Sequence, residues 1–330
     1  MFESEQNIYH LLENEFEYIL TLKFHLHFVF WQFNFDFQMK YIFATCYLLY
    51  LASTLPLHAQ TGTDLWVVNT NGKGGNLKLL PETAHSLTDR PEYDNQPSFI
   101  NDYQLVFSAA DENGNHDIIV YNFESDKFTN LSKTSDRSEF SPSITDCGMY
   151  IAAVVMEEDK KQRIWLYPTN FEPAELLYDD IEPVGYYDWY DNKAAMFILG
   201  EPNKLVYARG RNDLIEIDSV IDRSVKKRPK TSEITYISHP SEGQPGIIKS
   251  YDIENGEREV YLEGITGSQD FIWLDKNHLM MAAGNEIFLR KYNSPEWKSL
   301  GVIHSDTHEN ITRMAFSEDL NVLVITMNRK

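Results

Sequence analysis

Ten side chains carry the residue types from which a binding site could be built: Tyr93, Asp94, Asn95, Glu139, Tyr186, Tyr187, Asp188, Gln269, Asp270 and Glu309. Carboxylate and amide oxygens suit Ca²⁺, and they also hydrogen-bond the hydroxyls of a sugar or the amides of a peptide, over which tyrosine rings present flat faces. The same types bond to backbone groups in turns, so they mark a site only if the fold gathers them. A second cluster runs His304-Ser305-Asp306-Thr307-His308-Glu309. Two histidines four apart share one face of a helix and can share a zinc ion, but this segment reads as a loop and has Ser305 where a zincin motif has Glu. Cys147 stands in the turn Thr145-Asp146-Cys147-Gly148 with no histidine or second cysteine at a catalytic spacing. There is no Gly-x-Ser-x-Gly elbow of the kind that exposes a serine nucleophile.

What must position these residues is a repeat. Gln96-Pro97-Ser98-Phe99-Ile100-Asn101-Asp102 and Ser141-Pro142-Ser143-Ile144-Thr145-Asp146 are its clearest copies, each followed by an apolar run, at 104–109 and 149–155. Phe99 and Ile144 are 45 residues apart, and another 45 leads to Trp189, which is followed by the run 195–199. Weaker copies centre on Tyr236, Trp273 and Phe316, at spacings of 47, 37 and 43. Repeats of this length holding several short strands predict the blades of a propeller. In the first unit the strands fall at 98–100, 105–109, 116–122 and 127–131, with Asp111-Glu112-Asn113-Gly114-Asn115 as a turn. Residues 63–68 match the third strand of a unit and 76–80 the fourth, whereas the C-terminus supplies only a first and a second strand, at 313–316 and 321–327. The predicted fold is therefore all-β: a six-bladed β-propeller whose last blade is closed by N-terminal strands, with Trp66 in the same sheet as residues 322–325. Closure of this kind removes exposed sheet edges.

The N-terminus reads as targeting sequence. Met39-Lys40 precedes an uncharged apolar run at 41–57, and His58-Ala59-Gln60 ends it. Residues 39–59 are predicted to be a signal peptide, cleaved after Ala59, and residues 1–38 a disordered leader or a mis-assigned start ahead of Met39. Residues 60–330 form the propeller. The whole chain carries −21; residues 1–38 hold six acids against one base and 39–60 a single lysine, leaving −17 on the rest. Such a charge repels nucleic acid and anionic lipid. The basic stretch from Arg223 to Lys230 reads as a solvated loop. Cys147 is the only cysteine after the signal, so no intrachain disulfide is available.

Pro-Ser-Phe-x-x-Asp at the start of a unit and Asp-Ile-x-x-Tyr on its third strand resemble the TolB-like propellers with PD40 (WD40-like) repeats. Val184-Gly185-Tyr186-Tyr187-Asp188-Trp189 and Phe197-Ile198-Leu199-Gly200-Glu201-Pro202 are similar to a secreted bacterial subgroup of that family whose function is not established. The resemblance spans most of 63–330 and fades after about residue 205. It implies a periplasmic or extracellular binding module, and it supplies no catalytic residues. The usual Ser-Pro-Asp-Gly turn is degraded here to Thr145-Asp146-Cys147-Gly148 and Asn101-Asp102-Tyr103.

The function expected from all this is non-enzymatic: a secreted monomer binding a protein, peptide or glycan at the channel mouth, with no nucleic acid, no membrane span after cleavage and no cofactor beyond a possible Ca²⁺. Two alternatives stay open: a metal-dependent hydrolase or lactonase with a divalent ion in the channel, and a structural component of a cell-envelope assembly. Asp94, Glu139, Asp188 and Asp270 precede the anchors Phe99, Ile144, Trp189 and Trp273. They are expected on one face, where acidic side chains would favour a cation or a sugar over an anion.

Overall fold

Apolar runs with no polar alternation are expected where a strand is buried on both faces. In Tyr150–Met156, Ile151, Ala153 and Val155 pack on one neighbouring sheet, while Ala152 and Val154 pack on the other. Ala194 and Met196 against Ala195 and Phe197 repeat the arrangement, as do Leu279 and Met281 against Met280 and Ala282. Each of these strands is second in its sheet, and the sheets are wedged side by side.

The structure is a computed structural model that describes residues 62–170, 172–238 and 244–330. The expected leader at 1–38 and signal at 39–59 lie outside the described residues. Six antiparallel sheets stand in chain order around a central channel. Their innermost strands are Asp94–Asn101, Ser138–Ile144, Val184–Tyr190, Ile221–Lys227, Phe271–Asp275 and His308–Ser317. The apolar core is correspondingly divided into six clusters, each filling the space between two adjacent blades. Burying one Leu, Ile or Phe contributes roughly 1.5–3 kcal/mol, so the inter-blade layers hold the ring together.

The last blade is closed as expected. Its order from the channel outward is His308–Ser317, Val322–Arg329, Thr63–Asn71 and Lys78–Leu79, with His85–Ser86 also paired to Thr63–Asn71. Trp66 pairs with Ile325. The outer strand is shorter than the predicted 76–80, because Gly74–Asn76 turns as a 3₁₀ segment.

The fourth blade departs from the expectation. Tyr236 lies in Glu233–Ser238, the second strand, and the inner strand is Ile221–Lys227. Most of the basic stretch that reads as a solvated loop is therefore channel wall. A single residue, Val220, links this strand to Asp213–Ser219 of the third blade, so the blade begins earlier than an aromatic anchor suggests.

The inner strands are bulged. Gln96 and Ser141, each before a proline, have φ of 59° and 51°, and the ladder skips from Asn95 to Ser98 and from Phe140 to Ser143. Bulges re-aim side chains, and here Gln96 Oε1 accepts a bond from Ser141 N at 2.7 Å, tying the first two blades together at the channel. Among the described residues no helix is long and apolar enough to cross a membrane.

Candidate functional site

Each inner strand, or the residue entering it, brings one side chain to the same cavity: Gln96, Ser141, Tyr186, Arg223, Asp270 and Arg313. Five of them stand three residues before an anchor (Phe99, Ile144, Trp189, Trp273 and Phe316), and Arg223 is the fourth blade's counterpart. Their spacings are 45, 45, 37, 47 and 43, so the two irregular intervals are interchanged relative to those measured through Tyr236. The cavity measures about 320 Å³, and a neighbouring one of about 160 Å³ shares Arg223, Asp270 and Arg313 and is also lined by Gln269 and Asn310.

Basic side chains outnumber acids here. Arg223, Lys226, Lys227 and Arg313 line the larger cavity with Asp188 and Asp270. Asp188 is half-buried and accepts from Trp189 N at 2.8 Å and Lys227 N at 2.6 Å. Burial pushes its carboxyl up. Lys227 Nζ is 3.2 Å from Asp146 and lies over the Tyr190 ring at 5.3 Å. Arg313 reaches from the sixth blade to the Tyr186 ring of the third, 5.2 Å from its centroid. Burial and the neighbouring Arg313 both pull the Arg223 guanidinium below its usual range. Tyr93 sits beside both arginines and Tyr186, and burial raises its phenol to about 12.

Of the four carboxylates expected on one face, Asp188 and Asp270 line the cavity. The other two are taken up between blades. Asp94 is buried and holds Arg90, with Nε 2.9 Å from Oδ2 and Nη2 on Oδ1. Asn95 is buried beside it, its Oδ1 accepting from Gln96 N at 2.7 Å. Glu139 is sealed between the first and second blades, accepting from Thr134 Oγ1 at 2.7 Å and from Tyr167 Oη at 2.7 Å. Tyr187 is likewise buried: its Oη lies 2.6 Å from Ala152 O and accepts from Ser143 Oγ at 3.1 Å. Gln269 is exposed at the rim of the smaller cavity, and Glu309 is exposed on a strand paired with Asn328. The acidic mouth expected from sequence is thus a predominantly basic one, because the bulged inner strands turn Asp94 and Glu139 into the walls and present Arg223 and Arg313 to the channel.

The histidine cluster is divided as well. His308 is buried on Asp64 at 2.8 Å, while His304 is exposed. Among the described residues no group of three or more His, Cys, Asp or Glu is placed to hold a metal ion. Cys147 is exposed, and its thiol is pulled below the usual range by the Thr145 hydroxyl, 3.3 Å away, and by the Met149 N–H. We expect iodoacetamide to alkylate Cys147 in the folded protein with the melting temperature unchanged, as read by peptide mapping after a native-state pulse. Protection of Cys147 until unfolding would contradict this placement.

No family model matches the chain, and no curated protein matches it. Solved structures do. A TolB from Agrobacterium tumefaciens is 10% identical with a TM-score of 0.61, covering 82% of this chain and 99% of that one. A chain from a nidogen/laminin complex is 12% identical with a TM-score of 0.54, covering 74% of this chain and 94% of that one. At these identities the likeness is one of fold: a six-bladed β-propeller.

Proposed function

We propose that this chain is a binding propeller of the TolB-like kind, working outside the cytoplasm, that takes a protein or peptide ligand at the mouth of its channel. The observation that carries this reading is a convergence of polar atoms with no partner. Ser141 Oγ, Arg223 Nε and Asp270 Oδ2 are all inaccessible, all unbonded, and all belong to residues of the larger cavity. Buried polar groups are normally satisfied, and three orphans at one cavity are what a site keeps for an incoming partner. The match to a chain from a nidogen/laminin complex supports a protein partner for a propeller of this shape.

Ser98 lines the same cavity. The exported protein is expected to retain members of a peptide pool in affinity selection, and Ser98→Trp, which fills the channel, is expected to release them with native circular dichroism preserved. Retention unchanged by Ser98→Trp would place binding elsewhere. Export through residues 39–59 belongs to the same proposal: N-terminal sequencing of the exported protein should begin at Gln60, and peptides from residues 1–38 in that product would refute it.

A further inference from the structure

We infer that Arg223 and Arg313 form a carboxylate clamp in the channel and that its ligand is the free C-terminus of a peptide; this rests on the channel reading above and narrows it to one chemical group. The two guanidinium groups converge on a single acceptor. Arg223 Nη2 donates to Thr312 O at 3.4 Å, and Arg313 Nη1 donates to the same oxygen at 3.2 Å. Among the described residues neither has a carboxylate within ion-pair distance. Several other arginines that are half-buried or deeper do hold a carboxylate: Arg90 is on Asp94, Arg163 on Glu157 at 2.5 Å, and Arg228 on Glu233 at 2.8 Å, whereas Arg290 donates, among the described residues, only to the carbonyls of Ser294 and Glu263. Two adjacent cations share one neutral oxygen, and the Asp270 and Asp222 carboxylates that act on Arg223 leave a position for a further anion between the guanidinium groups. A carboxylate fits two guanidinium forks, and its bonds to them are charge-assisted.

Asp270 specifies more than an anion. It is only 7% exposed; its Oδ1 accepts from Ser224 Oγ at 2.9 Å, and its Oδ2 has no partner. An inorganic anion on the arginines would add like charge beside that carboxylate. A peptide terminus brings the same charge but offsets it, because the amide N–H of its last residue is two bonds from the terminal carboxyl carbon and can donate to Asp270 Oδ2. Phe99, Met314 and Phe316 give the last side chain an apolar wall. An acidic sugar is less well served, since aromatic faces suited to stacking are taken: Arg313 covers Tyr186 at 5.2 Å and Arg228 covers Trp273 at 5.3 Å.

The test is affinity selection on the full chain with a pool of acetylated tetrapeptides, synthesised once with free C-termini and once amidated, followed by calorimetry on a retained sequence. Amidation is expected to weaken binding at least about tenfold, and Arg223→Gln or Arg313→Gln to do the same, with the corresponding lysine variants intermediate. Folding controls are built in, because a Gln variant removes one of two like charges and should melt no lower than wild type. Equal retention of free and amidated peptides, abolished by Ser98→Trp, overturns the clamp and leaves the channel a peptide site. Retention of neither pool overturns both readings. Retention of oligogalacturonate that requires both arginines, with no peptide retained, overturns the assignment to a peptide.

Discussion

Asp64→Ala is expected to destabilise the propeller by about 3 kcal/mol, lowering its melting temperature on the order of 10 °C. Asp64 is fully buried where the strand Thr63–Asn71 meets the C-terminal strands of the closing blade. Its Oδ2 lies 2.8 Å from His308 Nε2 and 2.6 Å from Arg329 Nε, and its Oδ1 accepts from Thr88 Oγ1 and Arg90 N, both at 3.2 Å. One carboxylate thereby joins the N-terminal strand Thr63–Asn71 to both C-terminal strands of the closing blade. Removing one partner of a buried network leaves the others desolvated without compensation, which is why the loss exceeds that of a surface ion pair. Asp64→Asn, which keeps an acceptor, should recover part of it. Thermal unfolding of the three proteins checks the prediction, and an alanine variant melting within about 2 °C of wild type would show that closure depends on strand pairing alone.

Glu139 is expected to make stability fall as pH rises. Burial moves its carboxyl from the ordinary 4.5 to about 7, with nearby Asp117 adding to the effect against the bonds from Thr134 and Tyr167. Between those two values the folded state holds a proton that the unfolded state has released, so raising the pH removes stability. The contribution is whole below the unfolded value of 4.5 and is gone once pH passes the folded value of about 7. Its size is about 3 kcal/mol from the linkage relation. Glu139→Gln stays neutral and preserves an oxygen for Thr134 and Tyr167. Denaturant midpoints at about pH 5 and pH 8 should therefore diverge for wild type and differ by less for the variant. Identical pH profiles for the two proteins would mean that Glu139 is hydrated in solution.

Blade number and ring closure can be read from this chain because both depend on short-range patterns. Second strands such as Tyr150–Met156 are apolar on both faces, the Gln96-Pro97-Ser98 and Ser141-Pro142-Ser143 copies recur, and the first and second strands absent from the N-terminus are supplied at the C-terminus. The fourth blade hid its start because Ile221–Lys227 has an inner-strand sequence with no aromatic and three basic residues, whereas Tyr236 imitates an anchor from the second strand. The character of the channel was beyond any local pattern. Arg223 and Arg313 are 90 residues apart, and only ring geometry places both on Thr312 O. Which carboxylates face the ligand was equally non-local. A strand alternates its side chains between faces, so the bulges at Gln96 and Ser141 shift which residues face the channel, and Asp94 and Glu139 end in the walls while Asp188 and Asp270 remain in view. The sequence thus determines how many blades form and how the ring shuts, since each of those follows from contacts within a blade or between neighbours. The charge and chemistry of the channel belong to the assembled ring, because its cavity is lined by residues from all six blades.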